Sequence, residues 1–215
     1  MEKSLVLSRV RAGGLIPVIR TPTAEDALAM SEALQAAAIS SLEITLTVPG
    51  ALEVIRTLAR RFGDQLLLGA GTVLDARAAE ACVAAGAHFI VSPGLDLETV
   101  AFCRKAGVAV FPGALTPTEI ITAWKAGADM VKVFPASAVG GASYIKAVKA
   151  PLPQIELVPT GGVSVETAAA FIKAGAAALG VGGDLVDLEA LRSGRGEVIA
   201  ERARRYIETV LEARR

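Results

Sequence analysis

The segment Ala109-Val-Phe-Pro-Gly-Ala-Leu-Thr-Pro-Thr-Glu-Ile-Ile-Thr-Ala-Trp-Lys-Ala-Gly127 contains, in order, the signals of one strand and one helix. Its first residues are apolar and end in Pro and Gly, which predicts a buried strand over Ala109–Gly113. Thr116 precedes a Pro at the first helical position and a Glu three residues on, the pattern of a capped helix start. Gly127 ends the helix at the left-handed cap position. The fold follows from how often this unit repeats.

The unit repeats about eight times along the chain. The predicted strands are Leu15–Arg20, Leu42–Leu46, Leu66–Thr72, Phe89–Pro93, Ala109–Gly113, Met130–Pro135, Ile155–Gly161 and Ala178–Gly182. Each is followed by a helical pattern, and eight such units close into a (β/α)8 barrel, the TIM-barrel fold of the α/β class. We also expect an extra N-terminal helix that covers the barrel floor, and a closing helix near the C-terminus.

A single domain over residues 1–215 suits this length. The structural alternative is an open doubly wound sheet, which usually carries a GxGxxG loop after its first strand. The first strand here ends in Arg20-Thr-Pro-Thr23, with no glycine loop. The closed barrel is therefore the favoured fold.

Composition and charge narrow the range of partners. Hydrophobic residues make up 53% of the chain and aromatic residues 4%, as expected for buried parallel strands under Ala-rich helices. The formal net charge is zero, which gives no indication of nucleic acid or an anionic membrane as partner. The charged N-terminal segment does not resemble a signal peptide. Cys82 and Cys103 form no CxxC motif, so we expect free thiols in a reducing cytoplasm.

The single histidine, His88, precedes an apolar run and lies away from the strand ends that carry reactive residues. A catalytic zinc site usually needs several histidine ligands, and a serine hydrolase triad needs a histidine beside its nucleophile. We therefore predict no metal site and expect His88 to be a loop or surface residue.

Lys132 is the first candidate for chemistry, because barrel proteins carry their active sites at the carboxyl ends of the strands. It lies in the apolar run Met130-Val-Lys-Val-Phe134, where burial disfavours the charged ammonium and makes the neutral amine available. A neutral amine attacks carbonyls and forms an iminium, which is an electron sink for breaking a carbon–carbon bond. A structural ion pair at the barrel mouth is the alternative role.

Glu43 is the second candidate. In Leu42-Glu-Ile-Thr-Leu46 the alternation places Glu43 and Thr45 on one face of the strand, so the carboxylate points into the barrel or its mouth. A carboxylate there can move protons for imine formation and carbon–carbon cleavage. A salt bridge to Lys132 is its alternative role, and the two roles are compatible.

Two glycine pairs end the last two predicted strands, in Thr160-Gly-Gly162 and Gly180-Val-Gly-Gly183. Bare backbone amides at such positions bind phosphate well, and the seventh and eighth loops are the usual phosphate site of barrels. The alternative is a pair of tight turns without a ligand.

With these residues in place, the sequence resembles the KDPG/KHG aldolase family, the 2-keto-3-deoxy-6-phosphogluconate and 4-hydroxy-2-oxoglutarate aldolases. The motifs that carry the resemblance are Ile16-Pro-Val-Ile19, Leu42-Glu-Ile-Thr45, Gly69-Ala-Gly-Thr-Val73, Val91-Ser-Pro-Gly94, Pro112-Gly113, Val131-Lys-Val-Phe-Pro-Ala136 and Val158-Pro-Thr-Gly-Gly-Val163. They follow the family's order and spacing from about Leu15 to about Val186.

The resemblance implies a Schiff base between Lys132 and pyruvate, with Glu43 as general acid and base. The other implied positions are Thr72 and Pro93 lining the pyruvate pocket, Phe134 beside the imine, and Gly161, Gly162, Gly182 and Gly183 holding the phosphate. The implied reaction is reversible cleavage of the keto-deoxy acid phosphate into pyruvate and glyceraldehyde 3-phosphate. It also implies keto acid and aldehyde partners, a homotrimer, and no metal or organic cofactor beyond the covalent lysine imine.

This chain departs from the family pattern at two places. Many members have an arginine that binds the pyruvate carboxylate where this chain has Thr47, and we predict that Arg20 supplies the guanidinium instead. The family often has a serine where this chain has Gly183, and Asp184 follows. Because an inward carboxylate would repel a phosphate, 4-hydroxy-2-oxoglutarate stays among the candidate substrates.

Two other functions remain compatible with a barrel of this kind. One is an isomerase or epimerase that binds a phosphate and uses Glu43 as a base without an imine. The other is a non-catalytic barrel that binds sugar phosphates, which the presence of two inward charges makes the weaker alternative because burying charges is costly.

Overall fold

Nine short strand segments alternate with ten α-helices in the computed structural model, which describes the whole chain from Met1 to Arg215. The strands are β1 Leu15–Ile19, β2 Ser41–Thr45, β3 Leu67–Gly71, β4 Phe89–Val91, β5 Ala109–Phe111, β6 Gly113–Ala114, β7 Val131–Val133, β8 Leu157–Pro159 and β9 Leu179–Val181. The helices are α1 Lys3–Gly13, α2 Ala24–Ala36, α3 Ala51–Phe62, α4 Ala76–Ala84, α5 Leu97–Ala106, α6 Pro117–Ala126, α7 Ala142–Lys149, α8 Val165–Lys173, α9 Leu188–Arg192 and α10 Gly196–Ala213. All eight predicted strands are present, and most are shorter than predicted because the apolar runs continue into unpaired loop residues.

The strands form one parallel ring. One sheet has the order β5-β4-β3-β2-β1-β9, and a second has the order β6-β7-β8. Isolated bridges between Leu157 and Ala176 and between Thr160 and Gly180 join β8 to the β9 side. On the opposite side β5 and β6 are a single barrel strand interrupted at Pro112, which has no N–H to donate to the ladder. The predicted (β/α)8 barrel is confirmed.

The inward face of the ring is set by the two-residue period of the strands. Ile16, Phe89, Met130 and Val158 belong to a small apolar cluster that fills the lower barrel, while a much larger cluster of 52 residues lies between the strands and the helices. Lys132, on β7, is two residues beyond Met130 and therefore points to the same inward side.

Helix α1 closes the amino-terminal end of the barrel. Its Val6 and Val10 are buried in the inner cluster, and Lys3 and Arg11 form ion pairs with residues that flank β7 and β8. The predicted floor helix is thus present, and it leaves the opposite end of the barrel as the open one.

Helix starts and stops follow local chemistry. The side chains of Thr23, Asp75, Asp96 and Thr116 each accept a hydrogen bond from a first-turn N–H, and Thr116 forms a full capping box with Glu119. Gly86, Gly107, Gly127 and Gly175 all adopt the positive φ that ends a helix. These capping residues set where the helices begin and end, and the loops that follow the strands lie at the open end of the barrel.

The C-terminal helix α10, predicted over Glu197–Arg214, packs mainly on α8 and α2. It follows the short helix α9, which the sequence pattern did not reveal. None of the helices combines the length with the apolar composition needed to cross a bilayer.

Candidate active site

Lys132 and Glu43 face each other from opposite sides of the barrel. Lys132 Nζ lies 3.9 Å from Glu43 Oε1, and the side chains are 7% and 3% exposed. This separation is longer than a hydrogen bond, and Glu43 Oε1 is buried without any hydrogen-bond partner. A buried carboxylate oxygen left without a partner is costly, so this pair is poised to act on a third group placed between or beside its two members.

Gly71 creates the space for the Glu43 carboxylate. A Cβ at Gly71 would lie 1.8 Å from Glu43 Oε1 and 2.4 Å from its Cδ. Gly71 pairs with Thr45 on the neighbouring strand, so the glycine sits beside the outer end of β2, where the Glu43 side chain leans. Sequence reasoning placed Gly71 at a strand end and assigned it no role; the alternation Gly69-Ala-Gly71 was the available signal.

Phe134 lies next to the amine. Its ring centroid is 5.2 Å from Lys132 Nζ, close enough for a cation–π contact when the amine is protonated. Two other residues predicted for the pyruvate end lie on loops nearby. Thr72, directly after β3, holds a positive φ of 58°, a strained conformation for a threonine, and Pro93 follows β4. Gly113 lets the Pro93 backbone approach, since a Cβ there would lie 2.2 Å from its carbonyl.

A cavity of about 660 Å³ opens at the carboxyl end of the barrel. It is lined by seven of the residues predicted for the site, namely Arg20, Lys132, Phe134, Gly161, Gly162, Gly182 and Gly183. Glu43, Thr47, Thr72 and Pro93 are not on its wall. Glu43 lies 3.9 Å from Lys132, which is on the wall, and the other three lie on the loops after β2, β3 and β4. The cavity therefore joins the amine to the glycine pairs.

The four glycines present free donors to this cavity. The backbone N–H groups of Gly161, Gly162, Gly182 and Gly183 donate to no acceptor in the protein. Gly161 and Gly162 have positive φ, and a Cβ at Gly162 would clash with Ser137 at 2.3 Å. Free amides next to the start of α8 form a cradle for an anion.

Arg20 is a cation without a partner in the protein. It lines the cavity at the end of β1, and its guanidinium makes no ion pair or hydrogen bond. Thr47 is exposed, as Arg20 is, but it does not line the cavity, and its hydroxyl lies 2.8 Å from that of Thr45. Of these two positions, Arg20 is the one that brings a positive charge to the cavity.

Asp184 lies on the cavity wall directly after the second glycine pair. One of its carboxylate oxygens accepts a hydrogen bond of 2.5 Å from the Tyr206 hydroxyl, and Tyr206 is fully buried on α10. Burial raises the pKa of Tyr206, and the hydrogen bond to Asp184 raises it further. The sequence pattern indicated Asp184 but gave no sign of Tyr206.

His88 and the two cysteines lie elsewhere. His88 lies in the loop before β4, as expected, and is half-buried. Its Nδ1 accepts a hydrogen bond of 3.1 Å from the Leu68 N–H, and burial lowers the pKa of His88. Cys82 and Cys103 are buried free thiols whose pKa burial raises to about 11 and about 12. No group of three or more His, Cys, Asp or Glu side chains is arranged to hold a metal ion.

A class I aldolase needs an amine that can form an imine and, beside it, a carboxylate that can move protons. Comparison with known proteins agrees with this class. The family model for KDPG and KHG aldolase matches residues 6–201. The chain belongs to that family.

Individual relatives cover most of this chain. It is 39% identical to the 2-dehydro-3-deoxy-phosphogluconate aldolase of Treponema pallidum over 77% of each chain. It is 38% identical to the 2-dehydro-3-deoxy-6-phosphogalactonate aldolase of Escherichia coli over 93% of this chain and 95% of the relative. Among solved structures, the KDPG aldolase of Legionella pneumophila with pyruvate captured as a covalent carbinolamine superposes with a TM-score of 0.83, at 33% identity over 92% of this chain and 96% of that one.

These findings confirm the aldolase family and the lyase class predicted from the sequence.

Gly71→Ala should abolish most of the turnover, because the added methyl group displaces the Glu43 carboxylate. We expect kcat for pyruvate release, followed with a coupled lactate dehydrogenase assay, to fall by about 10²-fold or more, the usual effect of losing general acid–base help. Gly196→Ala is the matched control, since a Cβ at Gly196 meets nothing within 4 Å. A folded Gly71→Ala variant with parental kcat would contradict this role of Gly71.

Proposed function

We propose that this protein cleaves 2-keto-3-deoxy-6-phosphogluconate reversibly into pyruvate and D-glyceraldehyde 3-phosphate through an imine on Lys132. The observation that carries the proposal is the pair of buried side chains, Lys132 Nζ and Glu43 Oε1, 3.9 Å apart at the head of a cavity that ends in free backbone amides.

Imine formation starts at the Lys132 amine. The neutral amine attacks C2 of the keto acid, and the carbinolamine that forms loses its hydroxyl as water. Glu43 carries a proton from the attacking nitrogen to the C2 oxygen in the first step, and in the second step it protonates the hydroxyl that leaves as water. Its unpartnered oxygen gives it the freedom to accept and return that proton without first breaking a hydrogen bond in the protein.

Carbon–carbon cleavage uses the same pair. Glu43 accepts the proton of the C4 hydroxyl while the C3–C4 bond breaks, the aldehyde forms at C4, and the bonding electrons move into the iminium to give an enamine. Protonation of the enamine at C3 and hydrolysis of the imine then release pyruvate and restore the Lys132 amine. Atoms balance with one water lost on imine formation and one consumed on hydrolysis.

The substrate carboxylate is bound at the pyruvate end. We assign its main positive partner to Arg20, because this cavity-lining guanidinium has no partner in the protein. Thr72 and Pro93, on the nearby loops after β3 and β4, are assigned to the pyruvate end although they do not line the cavity, and Phe134 packs beside the imine. A role for Thr47 at this end stays a prediction, and its exposed hydroxyl is already paired with Thr45.

The distal phosphate is bound by Gly161, Gly162, Gly182 and Gly183, whose free N–H groups support this assignment. The gluconate and galactonate epimers and 4-hydroxy-2-oxoglutarate all present a similar keto acid end. Side-by-side values of kcat/KM for the three substrates rank them, and the proposal predicts the highest value for a phosphorylated substrate. The highest value for 4-hydroxy-2-oxoglutarate would overturn that choice.

We also propose that the whole chain acts as one domain in a cytoplasmic homotrimer. The exposed side chains of Leu74, on the loop after β3, and Leu97, at the start of α5, are 64% and 53% accessible and support an interface there. Light scattering should give about three times the 22.0 kDa chain mass.

The two buried free thiols support a reducing compartment.

The reaction needs no metal or organic cofactor in this proposal, because the lysine imine is itself the electron sink. Full activity after treatment with a chelator is the expected result, and activity that depends on added metal would contradict it.

An isomerase or epimerase that uses Glu43 alone would turn over a sugar phosphate without any covalent adduct, and a non-catalytic barrel would bind one without turnover. The imine is favoured because Lys132 lies on the cavity wall, where its amine can reach the carbonyl of a bound substrate. Covalent trapping separates these alternatives directly.

Borohydride reduction in the presence of pyruvate should fix one adduct, and peptide mapping by mass spectrometry should place it on Lys132. Lys132→Ala should give no adduct and lose nearly all turnover. Lys149→Ala is the matched control. Lys149 is partly buried and desolvation lowers its pKa, but its amine already donates to the carbonyls of Pro153 and Ile155. An adduct on Lys149, or none on the parent protein, would end the proposal.

Arg20→Ala should raise KM for pyruvate in the condensation direction by roughly tenfold or more, the scale of losing a charge-assisted hydrogen bond. We expect a smaller change in kcat, since Arg20 binds a group that does not react. Arg56→Ala, which removes an exposed guanidinium paired with Glu53 outside the cavity, serves as control. Unchanged KM in Arg20→Ala would show that the carboxylate is bound elsewhere.

A further inference from the structure

Asp184 is the only anionic side chain on the cavity wall, where it follows the glycine pair proposed to hold phosphate. The cationic side chains on the same wall are Arg20 and Lys132, and neither forms an ion pair with Asp184. A carboxylate free to rotate here would face the phosphate and repel it, because two like charges a few ångströms apart at a poorly screened site interact by kilocalories per mole.

The Asp184 carboxylate is fixed by a single contact. Its Oδ2 accepts a hydrogen bond of 2.5 Å from the Tyr206 hydroxyl, and the carboxylate makes no other hydrogen bond. Tyr206, on α10, is fully buried in the core cluster between the strands and the helices, so this contact draws the carboxylate toward the helix layer that surrounds the barrel.

Helix α10 holds the same loop at a second point. Arg202, one turn before Tyr206, donates to the Asp184 carbonyl at 2.6 Å, and its guanidinium lies 3.7 Å from Asp187 Oδ2. The Tyr206 hydroxyl also lies 3.4 Å from the Val163 carbonyl, on the loop of the first glycine pair. Tyr206 thus stands between the two glycine loops, with its one proton directed to Asp184.

We propose that Tyr206 is a positioning residue that holds the Asp184 carboxylate away from the glycine amides, so that the cradle accepts a phosphate monoester despite the acidic residue beside it. This inference rests on the proposed function for the identity of the substrate. In this inference the Tyr206–Asp184 pair determines whether the site binds a phosphorylated substrate, although neither residue contacts the reacting carbons.

The test compares Tyr206→Phe, Asp184→Asn and the double variant. Tyr144→Phe is the matched control, since Tyr144 is the chain's other tyrosine and its hydroxyl donates to the Leu115 carbonyl away from the cavity. Two quantities are measured on each protein: the Kd of glycerol 3-phosphate by calorimetry, and the yield of the pyruvate adduct after borohydride reduction. Pyruvate carries no phosphate, so its adduct reports on Lys132 and on folding without involving the cradle.

Tyr206→Phe should raise the Kd of glycerol 3-phosphate about tenfold through the released charge, with the pyruvate adduct unchanged. Asp184→Asn should bind at least as tightly as the parent, and the double variant should return to the value of Asp184→Asn. A merely structural role for Tyr206 would weaken binding equally with or without Asp184, and that result would overturn the inference.

Other outcomes separate this inference from the proposed function. No binding of glycerol 3-phosphate by the parent, or unchanged Kd in Tyr206→Phe, would overturn the inference while leaving the pyruvate adduct intact. Loss of the adduct in the parent, with the predicted pattern of Kd values, would overturn the proposed function and leave the role of Tyr206 standing.

Discussion

The burial of the Lys132 amine next to the Glu43 carboxylate is the constraint on which the site depends. Each charge stabilises the other there, because an isolated charge in the barrel interior carries a large desolvation penalty. Their separation of 3.9 Å leaves Glu43 Oε1 without a hydrogen bond. The fold thus tolerates the two charges but leaves Glu43 Oε1 without a hydrogen bond, so this oxygen is available to a substrate.

The barrel makes this arrangement possible through its geometry. Side chains along each barrel strand point alternately inward and outward. The inward positions include Glu43 on β2 and Lys132 on β7, which meet in the barrel interior although 89 positions separate them in sequence. Space is provided by small residues on neighbouring strands, above all Gly71 beside Glu43. The floor below is filled by apolar side chains and by α1, so the two charged groups have access only to the open end.

Much of this was predictable from the sequence, for physical reasons. Strand and helix positions follow from short apolar runs, N-caps and cap glycines, and a lysine or glutamate within such a run is conspicuous. The fit of Gly71 to Glu43 and the contact between Tyr206 and Asp184 were not predictable, because each joins residues whose proximity depends on the packing of separate elements. The break at Pro112 and the short helix α9 were missed because local propensity does not reveal where a ladder ends.

The most direct test of the account is the exchange of the pyruvate methyl protons with deuterated water, followed by proton NMR. Imine formation on Lys132 acidifies these protons, and Glu43 removes them, so exchange needs both groups and no aldehyde. We expect rapid exchange with the parent protein, none above background with Lys132→Ala, and an adduct without appreciable exchange for Glu43→Gln. Parental exchange in Lys132→Ala would contradict the central claim that the buried amine activates the substrate.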